Sequence, residues 1–504
     1  MKNVLILFAP KFKELGVDVA KNMQEKFPDI KITGICTGGA TVVNYVKGSL
    51  GPILVDIYDL ENMEEEWLEQ NDHQIDYNYL SEIDKSYGVG AVGEVITADR
   101  RVGLGLVRGG LTRPDYIGDQ AIRNPNEVPQ KYVQGLFLFI EGIFDRYNFC
   151  GVFCYAVAGG PAVALAKVCK ARNSIFTRLN VTRIGDGFVI DTDYKGCLEP
   201  VAERFLSAEE LPQSVLDKAA NFLIDYRNQP AIPGYMAYNN KMLKENRLLP
   251  LLGKFAVYST AFCVKNILPE KYKIRLNLIG VKRKLFELML EWRKVRFDYS
   301  VFDSDPPSCA YVFYPLHVDP EASTMVMSPM HTDQISVIEA ISKSLPGNKV
   351  LVVKEHLPMV GKRNQEFYQA IKNMPRVKLV SPLLSAHELI KSSAGVVVIT
   401  GTAAFEANIM GKKAIVVGDS PYLAMGTGLI HETSLSKLPD ALEKLEVMPE
   451  PEDEKIIRYI GCLLSESFNM KTSLLWGDYL SHSEPERHKA VKDISASIIE
   501  KIVQ

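Results

Sequence analysis

The chain has 504 residues, with 58 Lys and Arg against 61 Asp and Glu, so its formal net charge at pH 7 is only -3. Hydrophobic residues make up 47 % and charged residues 24 %, which is typical of globular proteins and excludes intrinsic disorder, collagen and a coiled coil. The near-neutral charge argues against a nucleic-acid-binding protein with a strongly basic surface. The length predicts roughly three domains, or two large α/β lobes.

The eight cysteines are scattered, lie mostly in apolar runs and form no CxxC pair. This spacing gives no support to zinc-ribbon or thioredoxin chemistry, and neither HExxH nor an EF-hand pattern occurs, so we expect no metal and no cofactor. Such cysteine usage fits a reducing cytoplasm. Peripheral contact with the inner face of the membrane stays open because residues 265–296 are basic, although a solvated helical face also explains that run.

From its first residues the chain alternates short apolar runs with amphipathic stretches, which is the pattern of a parallel α/β sheet. In chain order we predict a strand at 4–8, a helix at 12–27, a strand at 30–36, a turn at 37–39 and a further helix. Residues 148–166 carry no charge and are long enough to cross a membrane. Gly159, Gly160 and Pro161 interrupt that stretch, so we interpret it as a strand, a turn and a helix.

The next part of the chain predicts the domain organisation. Charged residues alternate with apolar ones at helical spacing over residues 206–296, and a polar stretch with Pro306 and Pro307 follows. The predicted units are a first Rossmann-like lobe at 1–296 including the helical region, a linker at 297–310, a second lobe at 311–450 and C-terminal helices at 451–504.

After the linker, five strands and four helices alternate strictly, which predicts a Rossmann-like lobe. The strands are predicted at 311–316, 350–354, 377–380, 395–399 and 414–417, and the helices at 333–344, 366–372, 385–392 and 403–410.

Polar residues follow three of these strands, and five of the eight histidines lie between residues 317 and 431. Because ligands of open α/β sheets bind beyond the carboxyl ends of the strands, we expect these residues to share one binding edge. The backbone N–H groups and hydroxyls of the turn at 400–402 can face a phosphate. The residues are His317, then Lys354, Glu355 and His356, and then Thr400, Gly401 and Thr402.

Glu406 lies one helical turn after Thr402, so its carboxylate can face the same ligand and accept hydrogen bonds from ribose hydroxyls. An N-cap role for Thr402 and a solvated position for Glu406 are the open alternatives. The phosphate loops GxGxxG and GxxxxGK[ST] do not occur, which disfavours dinucleotide redox and P-loop chemistry. The pattern therefore predicts another form of nucleotide recognition.

Three ordered motifs of this lobe are YPLHVDPEAS (314–323), VKEHLPMVGKR (353–363) and ITGTAAFEANIMGKKAIVVGDSPY (399–422). Together they resemble the capsule polysaccharide biosynthesis family, which includes the capsule Kdo transferases of the GT-B type. The resemblance covers residues 311 to 422. The usual His-Pro of the family is here His356-Leu357-Pro358. The resemblance implies two Rossmann-like lobes facing a central cleft, a helical insert and C-terminal helices that pack back toward the first lobe.

The resemblance also implies an activity, namely metal-independent transfer of a sugar from a nucleotide-activated donor to a surface or capsule polysaccharide or a glycolipid. A CMP-linked ulosonic acid is one such donor. In this reading His356 contacts the donor phosphate and is catalytic, and Glu406 holds the ribose. The other implied donor-binding residues are His317, Lys354, Glu355, Arg363, Thr400, Gly401 and Thr402.

Glycosyl transfer further requires a carboxylate in the first lobe, as a base or as a nucleophile. Asp99 and Asp186 are the catalytic candidates, and Glu141 and Asp145 are further carboxylates that could take this role. For each of the four, an ordinary ion pair or a turn position is the alternative.

Two other classes of function remain open at this point. A CDP-polyol phosphotransferase or a nucleotide-sugar 2-epimerase uses the same lobe architecture, and a non-catalytic GT-B-like protein could act as the scaffold of a polysaccharide assembly complex. An epimerase converts its donor without an acceptor, whereas a scaffold of this kind binds no nucleotide.

Overall fold

The structure, a computed structural model, describes residues 2–69, 74–108, 115–229 and 278–503, together with isolated positions between 253 and 260. Much of the predicted helical region 206–296 therefore lies outside the described residues. Its described parts include two helices, α10 (Gln213–Asn228) and α11 (Leu278–Val295).

A seven-stranded sheet forms the centre of the first lobe. Its strands are β1 (Lys2–Phe8), β2 (Ile30–Cys36), β3 (Leu54–Asp59), β4 (Phe149–Cys154), β5 (Ile175–Val181), β6 (Gly187–Asp191) and β13 (Phe468–Asn469). Their order is β13-β6-β5-β4-β1-β2-β3, and β1 to β5 are parallel while β6 and β13 pair antiparallel. Residues 148–166 form β4, a turn and the start of a helix, which confirms the interpretation from sequence.

Helices cover both faces of this sheet. They are α1 (Lys13–Lys26), α2 (Gly39–Leu50), α3 (Leu60–Glu69), α4 (Tyr77–Tyr87), α5 (Ala91–Ala98), α6 (Tyr116–Arg123), α7 (Val128–Arg146), α8 (Gly160–Ala171) and α9 (Glu199–Leu206). Along β1, Leu5 and Leu7 join one hydrophobic cluster while Val4, Ile6 and Phe8 join the other. A continuous apolar strand is thus buried on both sides, as a parallel sheet requires.

The second lobe contains a six-stranded, fully parallel sheet in the order β12-β11-β10-β7-β8-β9. Its strands are β7 (Tyr311–Pro315), β8 (Val350–Lys354), β9 (Val377–Val380), β10 (Gly395–Val398), β11 (Ala414–Val416) and β12 (Leu429–His431). Both sheets run outward in two directions from their first strand, so the prediction of two Rossmann-like lobes is confirmed. The sequence does not predict the three-residue β12, because so short a run carries no periodicity.

Six helices flank the second sheet within the described residues. They are α12 (Ala322–Met325), α13 (Gln334–Ser344), α14 (Gln365–Lys372), α15 (Ala386–Ser392), α16 (Ala403–Ile409) and α17 (Leu438–Val447). The end of the chain adds α18 (Asp453–Glu466), α19 (Thr472–Trp476) and α20 (Glu484–Val503). The final helix buries Ile494 and Ile498 in the cluster that contains Val19 of α1. The domain boundaries assigned from sequence stay predictions.

The two lobes share a hydrophobic cluster and face each other across a cleft. Phe405 and Tyr422 of the second lobe stack with ring centroids 4.3 Å apart and join Val189 of the first lobe in one cluster. At the cleft, Thr332 Oγ1 donates to the carbonyl of Leu106 at 2.9 Å. Thr332 lies in the connection that follows the carboxyl end of β7, so the carboxyl edge of the second sheet faces the first lobe. In the part of the chain that the structure describes, no helix has the length and apolarity to cross a membrane.

Candidate active site

Residues at the carboxyl ends of β7 and β10 meet, as the sequence predicted. The backbone N–H of Thr400 donates to Nε2 of His317 at 3.3 Å. A Cβ at position 401 would lie 3.2 Å from the same nitrogen, so Gly401 lets the imidazole approach the turn closely. Thr400 Oγ1 donates to the carbonyl of Ser323 at 2.8 Å, which ties the turn to the connection after β7.

Burial lowers the pKa of His317 to about 3, so its imidazole is neutral at pH 7. Because Nε2 accepts the Thr400 hydrogen bond, the proton is on Nδ1. Nδ1 is buried and has no hydrogen-bond partner among the described residues. His317 therefore offers one unused N–H donor at the edge of the site.

Lys354, the last residue of β8, is the site's free positive charge. It is 6 % exposed, and burial lowers the pKa of its ammonium to about 8. Across the described residues, no hydrogen bond or ion pair engages this ammonium. The neighbouring carboxylate of Glu355 attracts the ammonium but does not offset the effect of burial on its pKa. A buried ammonium that makes no ion pair is unfavourable in a folded protein, so an anionic ligand would stabilise it.

His356 follows Lys354 by two residues and is half-buried. Burial, with added repulsion from the charges of Lys354 and Arg363, lowers the pKa of its imidazole to about 4. His356 is therefore neutral at pH 7 and can donate or accept a hydrogen bond, whereas the positive charge comes from Lys354.

Arg363 and Glu355 lie behind the site. Nη1 of Arg363 donates to Asp319 Oδ2 at 3.0 Å, and its Nε is 3.0 Å from Glu355 Oε2. Arg363 also donates to the backbone carbonyl of His317. The side chains of Arg363 and Glu355 are fully buried. The structure thus gives Arg363, predicted from sequence to contact the donor, the position of a support for His317, with two carboxylates neutralising its charge.

Gln334 is a site residue that no sequence pattern indicated. Its Oε1 accepts the backbone N–H of His317 at 2.7 Å, and its Nε2 donates to the carbonyl of His317 at 3.1 Å. The side chain therefore holds both backbone groups of this residue. The contact joins positions 17 residues apart through tertiary packing, which periodicity cannot reveal.

Thr402 and Glu406 lie on one face of α16, as their spacing predicted. Thr402 Oγ1 donates to Glu406 Oε1 at 2.9 Å and makes no N-cap hydrogen bond to the helix. Glu406 Oε2 is 3.7 Å from Nε2 of His387, which is 3.0 Å from the hydroxyl of Tyr226 on α10. Ribose binding by Glu406 stays a prediction.

A cavity of about 310 Å³ lies at the carboxyl edge of the first sheet, and Asp99 lines it. Arg101 forms ion pairs with Glu64 at 2.7 Å and with Asp99 at 3.0 Å, and the hydroxyl of Tyr132 donates to Asp99 at 2.8 Å. Burial alone would raise the pKa of Asp99, but Arg101 and Tyr132 together hold it below the usual value. Asp99 is therefore a weak proton acceptor in this arrangement.

The other first-lobe candidates do not line that cavity. Asp186 is exposed in the turn between β5 and β6. Glu141 accepts hydrogen bonds from the hydroxyls of Tyr79 and Tyr87 at 2.6 and 2.5 Å, and Asp145 pairs with an arginine of α8's C-terminal end at 2.8 Å. Over the described ranges, no three His, Cys, Asp or Glu side chains gather as metal ligands. Metal independence stays a prediction.

No family model matches the chain, and no curated protein matches it either. Among solved structures, it is similar to the β-Kdo 2,7 transferase KpsC of Thermosulfurimonas dismutans, with 13 % identity, 72 % of this chain and 89 % of that chain covered and a TM-score of 0.36. It is also similar to the UDP-GlcNAc 2-epimerase of Neisseria meningitidis, with 10 % identity, coverage of 92 % and 99 % and a TM-score of 0.24. The strand order of the two sheets itself establishes the fold.

Proposed function

We propose that the protein is a glycosyltransferase whose nucleotide-activated donor binds at the carboxyl edge of the second sheet. The observation that carries this proposal is the buried ammonium of Lys354, which no described residue pairs. The three sequence motifs support the finer assignment of a CMP-linked ulosonic acid as donor and a surface or capsule polysaccharide or glycolipid as acceptor. A cytoplasmic location with peripheral membrane contact belongs to the same proposal.

In this proposal Lys354 stabilises the negative charge that develops on the leaving nucleotide. As the bond between the anomeric carbon and the phosphate oxygen breaks, negative charge accumulates on the leaving nucleotide. An ammonium in a site largely shielded from water stabilises that charge more strongly than it would in bulk solvent. The Thr400 N–H and the hydroxyls of Thr400 and Thr402 already donate within the protein. Further donors at the same edge are therefore His317 Nδ1, the neutral imidazole of His356 and the backbone N–H groups of Gly401 and Thr402, which add hydrogen bonds to the charge of Lys354.

A nucleotide-binding test separates this proposal from the scaffold alternative. We expect CMP, CDP or UDP to raise the unfolding temperature of the wild type in a thermal-shift assay, and we expect Lys354→Met to lose that rise. Lys343→Met is the matched control, since Lys343 is exposed and pairs with a neighbour on its own helix. Its nucleotide response should equal that of the wild type.

The outcomes distinguish the functions. If none of the three nucleotides shifts the unfolding temperature, the enzyme proposal is rejected in favour of the scaffold. If a nucleotide sugar is isomerised without acceptor and without release of nucleotide, the protein is an epimerase. Release of free nucleotide from the sugar, lost together with binding in Lys354→Met, supports the transferase.

A further inference from the structure

The cavity of the first lobe contains a carboxylate that the sequence did not single out. Glu61 is the second residue of α3, directly beyond the carboxyl end of β3, and its side chain lines the cavity. The backbone N–H of Gly38 donates to its Oε1 at 3.0 Å. Within the described ranges no basic side chain forms an ion pair with Glu61. Its second oxygen is thus available to a ligand.

The other carboxylates that line the cavity differ from Glu61. Glu64 and Asp99 are both held by Arg101, which neutralises them. Burial raises the pKa of Glu61, whereas Arg101 and Tyr132 hold that of Asp99 low. Burial raises the pKa of Glu64 as well, but that side chain is 1 % exposed and paired with Arg101, whereas Glu61 is exposed. Of these three groups, Glu61 is the one that a hydroxyl can reach without displacing an arginine, so it is best suited to receive a proton.

The wall beside Glu61 suits a sugar. The ring of Tyr155 lines the cavity and stacks on Phe12 with centroids 4.8 Å apart. Ala156, Ala158 and Pro161 continue the apolar surface. A sugar presents hydroxyls that a carboxylate can accept and C–H surface that packs on an aromatic ring. A carboxylate next to such a wall suits a hydroxyl-bearing ligand, and Arg100, which also lines the cavity, can accommodate an acidic substituent on it.

The helix α11 connects this cavity with the donor site. Arg283 Nη2 lies 3.0 Å from Asp115 Oδ2, and the Asp115 charge acts on Glu61. Ten residues later, Arg293 Nη2 donates to the backbone carbonyl of Arg363 at 3.1 Å, behind the donor site. At about 1.5 Å per residue these contacts are about 15 Å apart along the helix. The helix α11 therefore contacts both lobes, at Asp115 near Glu61 and at Arg363 behind the donor site.

We propose that the first-lobe cavity receives the acceptor sugar and that Glu61 takes the proton of its attacking hydroxyl. This inference rests on the proposed function. The acceptor oxygen forms a bond to the anomeric carbon, and the bond from that carbon to the phosphate oxygen breaks. The nucleotide leaves with the electron pair beside Lys354, and the proton moves to Glu61.

The test compares Glu61→Gln with Glu65→Gln, an exposed position on the same helix that does not line the cavity. Glutamine keeps the shape of Glu61 but cannot take up a proton. Nucleotide release from CMP- and UDP-sugars should fall by about 100-fold or more in Glu61→Gln, with nucleotide-induced stabilisation unchanged, since general bases contribute about 10² to 10⁴. Glu65→Gln should match the wild type. Release within a few-fold of the wild type in Glu61→Gln overturns the proposal.

A second measurement does not depend on the donor. Saturation-transfer NMR with methyl glycosides of glucose, galactose and N-acetylglucosamine should show binding to the wild type and a weaker signal with Glu61→Gln. If nucleotides bind but no glycoside does, or if Glu61→Gln keeps the full glycoside signal, the cavity proposal fails while the donor function stands. If glycosides bind through Glu61 and no nucleotide stabilises the protein, the cavity proposal stands and the proposed function fails.

Discussion

Lys354 should make nucleotide affinity depend on pH. Its ammonium has a pKa of about 8, so it is mostly charged at pH 7 and mostly neutral at pH 9. A bound phosphate favours the charged form and raises this pKa in the complex. The dissociation constant of the best-binding nucleotide should therefore be nearly flat around pH 7 and increase above pH 8, by up to about tenfold per pH unit. Isothermal titration calorimetry between pH 7 and 9 measures this increase.

Lys354→Arg is the control for that profile. The guanidinium stays charged across this range, so any affinity that the variant retains should not depend on the ionisation of residue 354. His317 and His356 add no titration here, because the pKa values of both are held near 3 and 4. Two results would contradict the assignment of Lys354 as the phosphate-binding cation. One is a wild-type dissociation constant that stays constant up to pH 9. The other is a dissociation constant that rises with pH as much in Lys354→Arg as in the wild type.

The site residues divide into those that sequence could predict and those it could not. His317, Lys354 and Thr400 each end a predicted strand, and parallel topology alone brings such residues to one edge. By contrast, Asp319 and Gln334 meet His317 and Arg363 through loop packing, for which no sequence period exists. Glu61 was missed for a related reason, since its cavity is formed by segments spread over more than a hundred residues.

At the scale of the element, the connection between β7 and α13 depends on Arg363. Asp319 and Glu355 flank its guanidinium, and all three side chains are buried. Arg363→Met should lower the free energy of unfolding by about 3 to 5 kcal/mol, because it leaves two carboxylates buried without their partner. Urea titration measures this loss, with unfolding of the second lobe monitored through hydrogen exchange of the backbone amides of β7 and β8.

A compensating variant tests the reason for that loss. Adding Glu355→Gln and Asp319→Asn to Arg363→Met removes both uncompensated charges, so part of the stability should return. Two outcomes would show that charge compensation does not stabilise this connection. One is a triple variant no more stable than Arg363→Met. The other is an Arg363→Met variant that loses no more free energy of unfolding than substitution of an exposed lysine does.

Secondary structure was most predictable where the alternation was regular. The second lobe has the predicted alternation because each apolar run is a parallel strand buried on both faces. No sequence pattern predicts the antiparallel pairing of β6 and β13 in the first sheet. In β13, Phe468 and Asn469 gain strand character only by pairing with Phe188 and Gly187 of β6, which lie about 280 residues earlier in the chain. Two residues carry no pattern of their own.

At the scale of the whole molecule, the last helix stabilises the first strands. Ile498 of α20 is fully buried with Val19 and Met23 of α1, and Gly151 of β4 leaves room for Ile502. The chain's end is thus part of the core that its beginning forms. Stability of the first lobe therefore depends on residues that follow the entire second lobe in sequence.

Ile498→Ala should consequently weaken the first lobe. Removing buried methyl and methylene groups costs about 2 to 5 kcal/mol in such a core, so urea unfolding should begin at a lower concentration. Hydrogen exchange should increase in β1 and α1 while β7 and β8 keep their protection. Val447→Ala, at a position 80 % exposed at the end of α17, is the control and should leave both lobes unchanged. Faster hydrogen exchange confined to the second lobe in Ile498→Ala would contradict the prediction that α20 stabilises the first lobe.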